Sequence, residues 1–290
     1  MSCYVLFNPH AGSGINIDGV KLLSELYNCE VVYKDITEIA DYKEFFSGLE
    51  ADDLVVLCGG DGTLNRFVND TADIDIPCEL LYCALGSGND FMRDIGKKPS
   101  DAPFSLKEYI TDLPMVEVKG KTYRFINNVG FGIDGYCCQV GDELKKSSTK
   151  PVNYTAIAIK GLLFHYKPTG ATVNVDGKEY HYKKVWIAPT MKGRFYGGGM
   201  IPTPEQDRHD PEKKLSVMIF YGKGKIKTLM VFPSIFKGEH VKHKDMVAIH
   251  TGSEITVTFD RPSPLQIDGE TILDVTSYTA KAVVNAKVKC

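Results

Sequence analysis

Apolar and polar positions alternate with two different textures along this 290-residue chain. Over the first 118 residues, short apolar runs are separated by segments of helical period. Strands are predicted at 3–7, 30–35, 53–58 and 79–85. A helix is predicted near 17–27, where Val20, Leu22, Leu23 and Leu26 form an apolar face. Others are predicted near 38–47, from about 63, and near 89–95. This βα alternation predicts a Rossmann-like parallel sheet with helices on both faces and right-handed crossovers.

Beyond residue 119 the texture changes. Strand-like runs crowd together at 121–127, 172–176, 180–188, 215–221, 246–250, 254–259 and 271–278. Asp176-Gly177 and Asp268-Gly269 are hairpin signals. The clearest helix covers 153–164. The expected architecture is therefore an α/β domain over 1–118 and an antiparallel β-sandwich over 119–278. Lys119-Gly120-Lys121 reads as the linker, and 279–290 reads as returning to the first domain.

Three strands of the first domain run into glycine-rich turns. Leu54-Val55-Val56-Leu57 leads to Cys58-Gly59-Gly60-Asp61-Gly62-Thr63. Leu80 to Leu85 leads to Gly86-Ser87-Gly88-Asn89-Asp90-Phe91, and Tyr4 to Phe7 leads to Asn8-Pro9-His10-Ala11-Gly12-Ser13-Gly14. Glycine lets backbone N–H groups approach a ligand closely. A helix N-terminus adds unpaired N–H groups and a positive dipole end. The combination suits a polyphosphate, with Asp61 positioning a hydroxyl, holding a metal ion or orienting the loop. In open parallel sheets ligands bind beyond the carboxyl ends of the strands, so the three loops are expected to face one crevice. The alternative is three turns whose glycines serve backbone geometry alone.

Composition narrows the function. A net charge of −3 with no basic run gives no nucleic-acid signature. No apolar segment reaches the roughly 18–20 residues needed to span a bilayer. No charged n-region precedes an apolar h-region, so no signal peptide is expected. The eight cysteines form no CxxC and read as reduced thiols of a cytoplasmic protein.

In order along the chain stand Asn8-Pro9-x-Ala11-Gly12, Gly59-Gly60-Asp61-Gly62-Thr63, Gly86-Ser87-Gly88-Asn89-Asp90-Phe91, Asn127-Asn128-x-Gly130-x-Gly132-x-Asp134 and Asp268-Gly269-Glu270. This set resembles the diacylglycerol kinase catalytic family, which includes bacterial lipid kinases and sphingosine kinases. The resemblance implies transfer of the γ-phosphoryl group of ATP, with Mg²⁺, to a lipid hydroxyl. It implies an active site in the cleft between the two domains. Asn8, Gly12, Gly59, Gly60, Asp61, Gly62, Thr63, Gly86, Ser87 and Asn89 would then hold nucleotide. Asp268 would be the base and Glu270 its support. Asp61 and Asp134 would serve the magnesium shell. The partner implied is a lipid at a membrane surface, reached by transient peripheral contact; a homodimer is left open.

The chain departs from the family pattern in places. Ser87 replaces the usual Thr and keeps the hydroxyl. In Asp207-Arg208-His209-Asp210-Pro211-Glu212-Lys213-Lys214-Leu215, the pair Lys213-Lys214 replaces Asp-Gly, which argues against a structural magnesium at Asp210. The stretch 231–240 is unlike the family pattern.

Other signals carry two readings each. No Walker A motif is present, so Arg66 and Arg93 are candidate phosphate partners, or else surface helix residues. Asp176-Gly177 offers the same turn chemistry as Asp268-Gly269, so turn chemistry alone makes both hairpin tips. Gly130-x-Gly132-x-x-Gly135 fits a structural turn better than a dinucleotide site, because the expected helix at about 135–143 is short and no second parallel strand follows. His240-x-x-His243 reads as solvated surface. Phe232, Ile235 and Phe236 beside Lys237, Lys242 and Lys244 read as a candidate membrane contact or as a core-packed edge with a charged flank, and Leu162, Leu163 and Phe164 as a candidate lip for an acyl chain or as ordinary buried residues. The competing functions are an NAD kinase, against which the Gly86–Asp90 loop counts, and a non-catalytic nucleotide-binding regulator.

Overall fold

The computed structural model describes residues 2–9, 30–85, 88–147 and 152–283. The chain divides into two units, Met1–Asp112 and Leu113–Cys290. The first contains β1 (Ser2–Phe7), β2 (Glu30–Asp35), β3 (Leu54–Gly59), β4 (Glu79–Ala84) and β5 (Phe104–Ser105). They form one sheet in the order β2-β1-β3-β4-β5. The first four strands run parallel and β5 antiparallel. Val55, Val56, Leu57 and Cys58 of β3 are fully buried, as an apolar run in a central parallel strand should be. β1 lies between β2 and β3, so the winding reverses there and the sheet has its switch point between β1 and β3.

The helix expected over 38–47 is split. Asp35 accepts from the Thr37 amide and starts a 3-10 turn, Ile36–Glu38. Asp41 accepts from the Lys43 and Glu44 amides and starts the helix Tyr42–Ser47. Two capping aspartates six residues apart give two starts. Tyr42 and Phe46 then pack on Phe67 of the helix Asp61–Asp70. The helix expected at 17–27 lies outside the described residues.

The second unit is built on a ten-stranded antiparallel sheet. Its strands are β6 (Met115–Val118), β7 (Lys121–Arg124), β8 (Asn128–Gly132), β9 (Thr169–Val175), β10 (Lys178–Val185), β11 (Ile187–Met191), β12 (Leu215–Phe220), β13 (Val247–Gly252), β14 (Glu254–Ile267) and β15 (Glu270–Lys281). β14 spans both halves of the sheet: Ile255–Phe259 pairs with β9 and Leu265–Ile267 pairs with β8. Residues of both halves meet in one core, where Phe131 stacks on Phe259 at 4.6 Å.

Two boundary expectations are corrected. Lys119-Gly120 is not a linker. Both residues have positive φ, 50° and 71°, and they form the two-residue turn between β6 and β7. Nor do residues 279–281 return to the first unit. Thr279, Ala280 and Lys281 complete β15 and pair with Glu117, Val116 and Met115 of β6. The division therefore falls before β6, and residues 284–290 lie outside the described residues.

The helix after β8 covers Ile133–Ser147, longer than the short segment expected, and β8 has only antiparallel neighbours, β11 and β14. The glycines here serve close approach. A Cβ on Gly132, at φ 128°, would lie 2.5 Å from the Ile187 Cα, and one on Gly135 would lie 2.1 Å from the Pro264 carbonyl oxygen. In an open helix Gly→Ala gains roughly 1 kcal/mol. Gly135→Ala should instead lose about 1–3 kcal/mol, because the obstruction is backbone. Urea unfolding of the variant against the parent checks the sign.

Candidate active site

In the first unit the ends of β1, β3 and β4 are brought side by side. Phe7 pairs with Cys58 and Gly59 with Ala84, so Asn8, the Gly59–Thr63 turn and the turn after β4 leave the same edge of the sheet. Gly60 is the N-cap of Asp61–Asp70 with φ −103°, an extended conformation open to any residue. Its lack of a side chain leaves the first-turn amides uncovered. Gly59 is glycine for a different reason. A Cβ there would stand 2.5 Å from the Thr63 Cβ, so the helix could not seat against the strand. Tyr82, fully buried, donates its hydroxyl to the Gly59 carbonyl at 3.1 Å.

Asp61 joins two loops. Its Oδ2 accepts from the Asp90 amide at 2.9 Å and its Oδ1 from the Phe91 amide at 3.1 Å. It thereby caps the helix Asp90–Asp94 from outside, a task the preceding residue does not perform, since Asn89 makes no side-chain cap bond. Asn89 itself holds φ 51°, a left-handed conformation that asparagine tolerates. Gly12, Gly86 and Ser87 lie outside the described residues. Arg66 and Arg93 are on exposed helix faces, facing Asp70 at 3.5 Å and Asp90 at 3.9 Å.

In the second unit Asp268 and Gly269, with φ 46° and 95°, form the tight turn between β14 and β15. The Asp268 carboxylate accepts three amides. Oδ2 takes Ile126 at 2.6 Å, and Oδ1 takes Asn127 at 2.8 Å and Asn128 at 2.9 Å. Asp176, at the matching turn between β9 and β10, behaves alike, accepting from Ser253 and Glu254. Glu270 is exposed at the start of β15. Around the Asn127 peptide lie two buried cations that the sequence reading missed. Arg208 donates to the Ile126 carbonyl and to the Asn127 Oδ1, each at 2.9 Å, and Lys192 donates to the Arg208 carbonyl at 2.9 Å. A signal existed: Arg208 sits within the acidic 207–212 run, considered only as a metal loop.

Asp134 is buried at the start of its helix, with Oδ1 on the Gly135 amide and Oδ2 near the Gln266 amide nitrogen at 3.3 Å. Gln266, buried on β14, is a third residue missed, because its neighbours Leu265 and Ile267 mark the strand only by their apolar face. Burial pushes the Asp134 carboxyl up from 3.8 to about 6, against the pull of these hydrogen bonds.

The Asp210 oxygens accept the Glu212 and Lys214 amides at 3.1 and 3.0 Å. Lys213 stands at φ 55°, where glycine would be relaxed. Among the described residues no group of three or more His, Cys, Asp or Glu side chains is arranged to hold a metal. The expectation of solvated histidines is corrected at His240, which is fully buried with Nε2 at 2.8 Å from the Pro202 carbonyl. Of the two readings given to Phe232, Ile235 and Leu162, the core reading holds.

The two hairpin aspartates give a stability test. Asp268→Ala should cost about 2–4 kcal/mol, because three half-buried amides lose their acceptor. Asp176→Ala should cost under about 1 kcal/mol, since its amides are at the surface and water replaces it. Urea midpoints of both variants decide. Asp134 gives a pH test. Its folded pKa is raised, so folding favours the protonated acid. That contribution is whole below about pH 4 and is lost as pH rises through 6, a change of about 3 kcal/mol. Asp134→Asn should remove this decline, leaving the variant more stable relative to the parent at pH 7.5 than at pH 4 by about that amount.

Comparisons with known proteins cover both units. Residues 2–115 match the diacylglycerol kinase catalytic domain, and residues 127–286, more than half of the chain, match the YegS C-terminal NAD kinase beta sandwich-like domain. The "Putative lipid kinase YtlR" of Bacillus subtilis is 25% identical over 263 residues, 84% of this chain and 79% of that protein. The diacylglycerol kinase of Mycobacterium tuberculosis is 26% identical over 198 residues, 66% of this chain and 62% of that protein. A crystal structure of a "putative diacylglycerol kinase" from Bacillus anthracis shares the fold, with TM-score 0.66 at 18% identity over 96% of this chain and 92% of that one. With both domain models matched in order, the chain belongs to the diacylglycerol kinase catalytic family and is a phosphotransferase of the lipid-kinase type.

Proposed function

We propose that this protein transfers the γ-phosphoryl group of ATP, entering as its magnesium complex, to the hydroxyl of diacylglycerol or a related lipid alcohol. The observation that carries the reading is the first unit's switch-point edge. There a glycine-capped helix offers open amides, and Asp61 locks the neighbouring loop beside them. Phosphoryl transfer asks the protein for positioning and charge neutralisation rather than covalent chemistry. Helix-terminal amides supply part of it. Magnesium is commonly held by substrate phosphates with one or two carboxylates, so a resident cage of protein ligands is not required. Asn8, the Gly59–Thr63 turn and Asn89 hold the nucleotide in this reading. Asp268 takes the proton of the attacking hydroxyl, supported by Glu270. The three amides on Asp268 fix its orientation for that task.

The second reading, phosphorylation of NAD, draws on the NAD kinase-like description of the matched C-terminal domain. One assay separates the two. Purified protein is incubated with γ-labelled ATP, Mg²⁺ and either a panel of detergent-dispersed lipids or NAD. Label should enter diacylglycerol or a related lipid alcohol; label in NADP with none in any lipid would reverse the order of the readings. Asp268→Asn should lower kcat by about 10²–10⁴ with the KM for ATP within a few-fold. A near-normal kcat in that variant removes the base assignment. Asp61→Ala should raise the KM for ATP about tenfold, through loss of two charge-assisted bonds that hold the loops together.

A further inference from the structure

The second unit carries an apolar and cationic face that the phosphoryl-transfer reading does not use. The helix Tyr154–Lys160 continues into the turn Gly161–His165. The helix Lys225–Val231 is tied to it by Lys225, whose Nζ donates to the Leu163 carbonyl at 2.8 Å. Inward, Leu162 and Val231 join the core. Outward, Ile226 and Met230, one helical turn apart, are 74% and 66% exposed, and Phe164 is 72% exposed. Ile159 and Phe236, each about half exposed, add to the apolar surface of these segments. Clustered apolar side chains of this size on a protein surface mark an interaction site.

The two stretches of sequence that carry them have charge of one sign. No Asp or Glu occurs from Leu144 to Val175, nor from Lys213 to Gly238, although acids outnumber Lys and Arg by 37 to 34 in the whole chain. Exposed Lys160, Lys167, Lys225, Lys227 and Lys237 stand within these stretches. Acids outside these stretches stand near some of their lysines: Asp245 pairs with Lys223 at 3.1 Å and lies near Lys227, Glu239 lies near Lys237, and Asp142 faces Lys145 at 3.8 Å. Apolar knobs among lysines match an anionic bilayer. The side chains enter the headgroup–acyl boundary and the lysines meet negative headgroups. No described helix is long and apolar enough to cross a membrane, so the contact that these helices can make is interfacial.

We infer that this face docks the protein on an anionic lipid bilayer, with Phe164, Ile226 and Met230 entering the interface and Lys160, Lys227 and Lys237 meeting the headgroups. The inference rests on the lipid-kinase reading for its purpose, since a bilayer-dissolved substrate must be met at its surface, but the docking needs no nucleotide. The test is co-sedimentation of the full chain, without ATP, with vesicles of phosphatidylcholine alone or with about a third phosphatidylglycerol. Binding should require the anionic lipid and weaken with salt. The double variant Ile226→Ser with Met230→Ser should bind at least about tenfold more weakly. Lys227→Glu with Lys237→Glu should do the same, each with unchanged unfolding midpoint and unchanged turnover of detergent-dispersed lipid. Equal binding to neutral vesicles, no vesicle binding, parental binding by both double variants, or a homodimer dissolved by the Ile226 and Met230 substitutions would overturn the inference. The two readings fail separately. Patch-dependent vesicle binding without phosphoryl transfer leaves the docking and removes the kinase; transfer to dispersed lipid without vesicle binding does the reverse.

Discussion

Aspartate carboxylates that accept backbone amides hold the loops of this protein in place. A loop amide must find a partner or stay in water. A short, doubly accepting side chain satisfies two or three at once with charge-assisted bonds. Asp61 does this between two loops of the first unit, so the turn after β3 and the turn after β4 are set relative to each other. Asp268 does it for residues 126–128, the entry to β8. The strand that leads to Asp134 therefore starts from a point that Asp268 defines. In both units a residue assigned chemistry also carries a loop, and loss of activity on its removal has two causes that only a stability measurement separates.

At the motif glycines next to strands, glycine contributes through space. Gly59 admits the Thr63 side chain, and Gly130, Gly132 and Gly135 admit the backbones of β11 and β14. Close seating of a helix on its strand keeps the first-turn amides at the sheet edge. The left-handed positions are shared between glycines such as Gly120 and Gly269 and other turn residues such as Asn89, Lys119 and Asp268. A glycine-rich motif in this chain thus records packing and ligand approach together, and the same composition at Gly130–Gly135 serves packing between antiparallel strands.

The exposed apolar face of the second unit shows how one hydrophobic pattern lies both in the core and at the surface. The helix Lys225–Val231 is apolar on more than one side. Thr228 and Val231 face the core, while Ile226 and Met230 face out. Periodicity reports that a stripe is apolar and does not report which stripe the core takes. The same ambiguity left Phe232 and Ile235 with two readings, and the core takes them.

Local pattern alone determined β1 to β4, the glycine turn after β3 and the Asp-Gly hairpins, because each depends on neighbours in sequence: buried runs, caps and positive φ. Residues 3–7, 30–35, 53–58 and 79–85 match β1 to β4 within a residue or so. Tertiary structure alone decided the membership of β6 in the second sheet, the pairing of Thr279–Lys281 with it, and the burial of Lys192, Arg208, Gln266 and His240. Those outcomes depend on partners up to 164 residues away, as in the Lys281–Glu117 bond. A strand's alternation says that one face is covered and carries no record of which sheet provides the cover.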